Sequence, residues 1–280
     1  MEYLDRRVGL VNERLESLVE AVEPAELAAE LDHVALAGGK RVRPAVTVLA
    51  CEAVGGRPAD AVDFAVGIEL VHNASLVIDD IIDRSAVRRG TPSAWAEFGY
   101  GPAILASDGL LGEAFALFSQ NERAMRIVAE AMVELGEGEA TELVARPESE
   151  AEYMELARRK TGVLFRAAAE LGAVAGGADA VTVEALGDYA ERVGVAFQIR
   201  DDVLDATADA ADLGKPTGQD AEMDRPSLVQ VTGLSPDEAN ARAQAASDRA
   251  LEALATADTR DVDAVEYLQD LAEFVVVRER

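Results

Sequence analysis

The sequence predicts an all-α protein, a bundle of roughly ten helices in a single domain spanning residues 1–280. Three observations carry that prediction. Apolar residues recur at three- and four-residue spacing nearly end to end, the signature of amphipathic helix. Period-two alternation of the strand type is almost absent. No Pro/Ser-rich linker and no repeat of fixed period divides the chain. In order, the longest run is 62–83, with Phe64, Ile68, Val71, Leu76 and Ile78 among its apolar positions. Helical runs rich in Ala, Leu and Glu follow near 107–119, 124–143, 151–175, 181–206 and 236–256. Breakers separate them: Gly55-Gly56, Gly90-Thr91-Pro92, Gly101-Pro102, Arg146-Pro147, Gly176-Gly177 and Leu213-Gly214-Lys215-Pro216. Ser235-Pro236-Asp237-Glu238 combines a capping serine, an early proline and first-turn acids, a good helix start. With aromatics at 5%, the core is expected to be mostly Ala, Val and Leu.

Composition bounds the function. Hydrophobic residues make up 49% of 280, enough for one large core. No run of about 18 apolar residues occurs, so a membrane span is not expected. The start, Met1 to Arg7, lacks the layout of a signal peptide. A lone Cys51 cannot form an internal disulfide and fits a reducing cytoplasm. Net charge is −27, from 53 acidic and 26 basic residues. Such one-sided charge reads either as attraction to a cationic partner or as a surface built for high salt. The halophilic reading is the better supported. Nucleic-acid binding, which needs a basic footprint, is disfavoured. Only Lys40, Lys160 and Lys215 are lysines; arginine supplies every other basic residue.

Two acidic motifs stand out. Asp79, Asp80 and Asp83 lie at i, i+1 and i+4, and Asp201, Asp202 and Asp205 repeat the spacing. At about 100° per residue, the first and third of each set share a helix face, with the second within reach. Three adjacent carboxylates repel unless a cation sits among them. Their hard oxygens suit Mg²⁺, which is usually completed by water and substrate phosphate oxygens. In so acidic a chain one such motif could be a solvated helix face. Equal spacing and apolar flanks (Leu76-Val77-Ile78, Ile81-Ile82, Val203-Leu204) favour a pair of metal sites facing each other across a cavity.

Cations needed by a diphosphate accompany them. Gly38-Gly39-Lys40-Arg41-Val42-Arg43-Pro44 sets three cations after a glycine pair, without the spacing of a nucleotide-binding P-loop. Arg88-Arg89-Gly90, Lys160-Thr161 and Gly214-Lys215 complete a cationic rim. All three scarce lysines fall in these stretches. His72, two turns before Asp79, reads as a polar substrate contact. His33, Trp95 and Tyr100 read as structural.

These stretches resemble the trans-isoprenyl diphosphate synthases, or polyprenyl synthetases. The similarity runs through Gly38–Pro44, His72–Arg84 with Arg88-Arg89-Gly90, Lys160-Thr161-Gly162, and Phe197-Gln198 to Asp205 with Gly214-Lys215, in the family's order. The tail from Phe274 to Arg280 is also similar. The resemblance implies an isoprenoid synthase helical bundle around a deep central cavity, usually a homodimer. It implies three Mg²⁺ bridging an allylic diphosphate to Asp79, Asp83 and Asp201, supported by Asp80, Asp202 and Asp205. Lys160, which belongs with the catalytic set, would hold that diphosphate with Thr161, Gln198 and Arg88, and Lys215 would help. Lys40, Arg43, His72 and Arg89 would hold isopentenyl diphosphate.

The chain departs from the family pattern at Ile78, where histidine is usual, and at Asp224-Arg225-Pro226-Ser227, where a lysine is common. Ser75 and Ala74, four and five residues before Asp79, are expected one turn deeper in the cavity. Relatives that stop at farnesyl commonly carry bulky aromatics there, so small residues imply geranylgeranyl diphosphate or a longer product. The alternatives are a class I terpene cyclase, a non-catalytic subunit of a heteromeric synthase, and an acidic helical protein with no metal site.

Overall fold

The computed structural model describes residues 2–207 and 226–277. Helices α1 (Glu2–Glu20), α2 (Ala25–Ala35) and α3 (Val42–Ala53) lead into α4 (Pro58–Ile82), followed by a two-stranded hairpin, Val87–Arg88 with Thr91–Pro92. Then come α5 (Ala94–Phe98), α6 (Tyr100–Phe118), α7 (Glu122–Val144), α8 (Glu150–Ala157), a π-helical turn at Arg158–Gly162, α9 (Val163–Ala175) and α10 (Ala180–Thr207). After the segment outside the described residues come α11 (Leu228–Thr232), α12 (Pro236–Leu254) and α13 (Val262–Val277). The all-α expectation therefore holds, and short helices such as α5 and α11 raise the number above ten.

Helix starts follow capping chemistry. Asn121 caps α7 by accepting from the backbone N–H groups of Arg123 and Ala124. Ser235 and Glu238 form a capping box at α12, with Pro236 in the first turn. The Gly101-Pro102 breaker lies inside the first turn of α6, where a proline's missing N–H leaves no bond unmade. Gly90 closes the hairpin instead of simply ending a helix. Arg89 and Gly90 both take positive φ (52° and 80°), the geometry of a two-residue primed turn.

α4 is the axis of the molecule. It packs on α6, α3, α9 and α1. By length and composition α4 and α6 could each cross a membrane, but two-thirds of the apolar window of α4 is buried inside the bundle. The main core joins α1–α4, α6, α7, α9, α10, α12 and α13, with Leu49, Ile68, Leu110, Leu171, Leu186 and Phe118 fully enclosed. Burying each such side chain contributes about 2 kcal/mol. α9 and α10 lie side by side, and α10 also packs along α12.

Candidate active site

A cavity of about 790 Å³ opens between α3, α4, α7, the π turn, α9 and α10. That volume suits one large ligand or two small ones. On α4 it is lined by His72, Ser75, Leu76 and Asp79, positions spaced 3, 4 and 7 apart on one helix face. On α10 it is lined by Phe197, Gln198, Asp201 and Asp202. The leading aspartates of the two motifs thus open onto one space.

The other motif residues are placed differently. Asp80, read from the sequence as within reach of Asp79 and Asp83, is turned away by the 100° step of the helix. It is buried, and it accepts from Arg88 Nη2 at 2.6 Å and Nε at 3.0 Å. Arg88 lines the cavity with its charge already partnered. Asp83 is the C-cap of α4 and Asp205 lies in the last turn of α10; neither is in the cavity wall. Asp202 is buried, accepting from Gln198 Nε2 (3.0 Å), the Leu228 N–H (2.8 Å) and the Tyr153 hydroxyl. Burial pushes its carboxyl up to about 6 against those three bonds. It secures α8 and α11 to α10.

Lys160 and Thr161 reach the cavity because the helix from 150 to 175 is not regular. The Val163 N–H bonds to the Arg158 carbonyl, five residues back. Close approach of glycines sets this turn against its neighbours. A Cβ on Gly194 would lie 2.9 Å from the Gly162 Cα, and one on Gly138 would lie 2.9 Å from the Arg159 Cβ. α10 therefore comes near enough for Thr161 Oγ1 to donate to Gln198 Oε1 at 2.7 Å. α7 comes near enough for Glu142 and Glu139 to pair with Lys160. Burial alone would lower the Lys160 pKa, but Glu142 and Glu139 outweigh it and raise it. Burial first, and Asp79 next among the raising influences, lift Glu139 to about 7. Glu139 and Glu142 are site residues that the sequence reading missed, since they sit in an unremarkable acidic run with no motif around them.

A second basic group faces His72. Lys40, Arg41, Arg43 and Arg89 line the wall with it. The Arg43 guanidinium lies 4.6 Å from the Phe165 ring centre, and its Nε has no partner. Burial lowers its pKa to about 10. Burial and the surrounding arginines hold His72 far below its usual range, so it is neutral at pH 7. Ser75 lines the cavity. Ala74, expected beside it, is buried instead: it faces the other way on α4, and its carbonyl accepts from Ser107 on α6. His33 is structural as read, its Nε2 2.9 Å from the Pro92 carbonyl. Trp95 donates to the Ser85 carbonyl and stacks on Tyr100. Lys215 and Arg225 lie outside the described residues, as do Arg278, Glu279 and Arg280.

Among the described residues no three acidic or imidazole side chains converge closely enough to hold a metal by themselves. Asp79 and Asp201 fit Mg²⁺ in its usual manner, with one or two carboxylates and the remaining positions left to phosphate and water. Opposed aspartates, two cationic groups and an apolar wall in an all-α bundle define a protein that handles diphosphate esters. The chain belongs to the polyprenyl synthetase family, whose family model it matches over residues 24–271. A short chain isoprenyl diphosphate synthase of Methanothermobacter thermautotrophicus is 37% identical over 243 residues, covering 84% of this chain and 75% of the relative. The crystal structure of a geranylgeranyl pyrophosphate synthetase from Pyrococcus horikoshii superposes with a TM-score of 0.91 at 34% identity, covering 99% and 98% of the two chains. That of a polyprenyl synthase from Caulobacter crescentus, complexed with calcium and isoprenyl diphosphate, gives 0.89 at 30%, covering 100% and 97%.

Proposed function

We propose that this chain is a prenyltransferase that joins isopentenyl diphosphate head to tail (1′-4) to an allylic diphosphate, giving a longer trans-prenyl diphosphate. One observation carries the reading: Asp79 and Asp201 share a cavity with two distinct cationic groups, so two diphosphates have separate partners. Lys160, Thr161 and Gln198, with Arg88, would hold the allylic diphosphate; Lys40, Arg43, His72 and Arg89 would hold isopentenyl diphosphate. Asp79 and Asp201 from the cavity wall, and Asp83 from one turn beyond Asp79 at the end of α4, would hold Mg²⁺, three ions per site, which when bound would neutralise charge on the leaving diphosphate.

The chain's own residues do the rest. Lys160 and Thr161 steady the diphosphate as the allylic C–O bond breaks and its electron pair departs with oxygen. Leu135, Leu164, Phe165 and Phe197 keep water from the allylic cation. The double bond of isopentenyl diphosphate then attacks that cation, and a proton leaves to the released diphosphate. Neutral His72 offers hydrogen bonding without adding to an already cationic wall.

The product is geranylgeranyl diphosphate or longer, on the small side chain of Ser75. A homodimer is part of the reading, through the exposed Ile104, Leu105 and Phe115 of α6. So is a halophilic, cytoplasmic setting, which suits the net charge and the single buried Cys51. Purified protein with Mg²⁺, isopentenyl diphosphate and each allylic starter should give chains of twenty carbons or more by chromatography. No elongated product from any starter would overturn the activity, whereas arrest at farnesyl would overturn the length. Activity of the isolated chain excludes an obligate silent subunit. Ser75→Phe should shorten the product and Ala74→Phe should do so less. Light scattering should show a dimer that Leu105→Glu weakens.

A further inference from the structure

Glu69 and Arg41 are assigned to no substrate above, yet they form an ion pair buried in the cavity wall. Glu69 is 2% exposed and Arg41 6%. Arg41 Nη1 donates to Glu69 Oε1 at 2.6 Å, Nη2 to the Ala35 carbonyl at 2.6 Å, and Nε to Asn12 Oδ1 at 3.2 Å. Asn73, one turn along α4, donates to the Glu69 carbonyl at 2.8 Å and to Oε1 at 3.4 Å. Its own Oδ1 accepts from Arg89 Nη1 at 3.4 Å, and Arg89 donates onward to the Gly38 carbonyl at 2.6 Å. The backbones of Arg41 and Arg89 are both left-handed, at φ 48° and 52°. Residues without a glycine's freedom hold that conformation only where their surroundings fix it.

The glycine loop at 38–39, which leads into Lys40 and Arg43, is thus held on both sides by groups tied to Glu69: Arg41 on its carboxylate, and Arg89 through Asn73, which bonds to the Glu69 carbonyl and more loosely to the carboxylate. We propose that Glu69 is a positioning residue for the isopentenyl diphosphate subsite, setting Arg41 directly and Arg89 through Asn73 so that Lys40 and Arg43 face the substrate. This rests on the prenyltransferase reading. A plainer role competes with it. Glu69 could act only as counter-charge to Arg41, Arg43 and Arg89, and then its removal would leave a more positive wall that binds diphosphate as well or better.

Glu69→Gln separates the two, because it keeps the shape and removes the charge. A positioning role raises KM for isopentenyl diphosphate about tenfold and leaves KM for the allylic diphosphate within about twofold. Arg41→Lys, which keeps charge but loses the planar fork, should do the same. The combined variant should be no worse than the worse single one. An unchanged or lower KM for isopentenyl diphosphate, an equal rise in both, or additive losses would overturn the proposal. If Glu69→Gln does not fold by circular dichroism, Asn73→Ala is judged by the same split between substrates, since it cuts only the link to Arg89. Lack of turnover in the unaltered protein would count against the functional reading itself.

Discussion

Six aspartates of equal spacing divide, at the scale of single residues, into different jobs. Asp79 opens onto the cavity and raises the pKa of Glu139 across it, whereas Asp80 is spent on Arg88. Asp79→Asn should therefore cut turnover about 100-fold or more. Asp80→Asn should lower Tm by a few degrees, since the Arg88 it releases is about one-third exposed and can rehydrate. Equal behaviour of the two variants in a thermal melt and an assay would refute this division. Glu170 carries a pH signature. Burial lifts its carboxyl to about 7, although Arg166 Nε lies 2.8 Å away. A carboxyl raised above its unfolded value binds more protons when folded, so the stability it contributes is present at low pH and is lost as pH rises through 7. Glu170→Gln should remove that loss, and be worth on the order of 1–3 kcal/mol more at pH 8 than at pH 5. Urea melts at the two pH values measure it.

Whole helices were the most legible feature, and their interruptions the least. The 3.6-residue period marks a face wherever a helix buries one side, so 181–206 and 124–143 fall within two residues of α10 and α7. The run 151–175 reads as one helix because a π turn keeps nearly the same apolar spacing; only the hydrogen bonds differ. Residue identity likewise places Ala74 and Ser75 together, and helical phase separates them. Glu139 and Glu142 were hidden because an acidic residue on α7 has meaning only once Lys160 is known to lie opposite. The contact that brings the π turn to α10 is backbone against backbone, at Gly162 and Gly194. Gly194→Ala should cost about 1–3 kcal/mol by overpacking and lower turnover by parting Thr161 from Gln198. Full activity in that variant would mean the hydrogen bond is dispensable.

For the whole molecule the dominant quantity is charge, −27 over 280 residues. Ion pairs offset part of it: Arg166 alone meets Glu170, Glu184 and Asp188. Most of the acidic excess still has no basic counterpart. Added salt weakens the pairs and the repulsion together, but the repulsion is the larger sum. Raising KCl from 0.1 M to 1 M shortens the screening length from about 10 Å to about 3 Å and should raise Tm. A falling Tm would show that the ion pairs outweigh the repulsion and would remove the case for a high-salt habitat.

The π turn at 158–162 is in effect one residue too many in an otherwise good helix. Its extra member rotates everything upstream relative to everything downstream by roughly a quarter turn, which lets Tyr153 and Phe165 address the same space from one rod. Deleting Arg159 should give a straighter and intrinsically more regular helix, yet one with Lys160 or Thr161 swung out of place. Circular dichroism would register helix retained and an assay would register product lost. At this point the chain gives up regularity for aim.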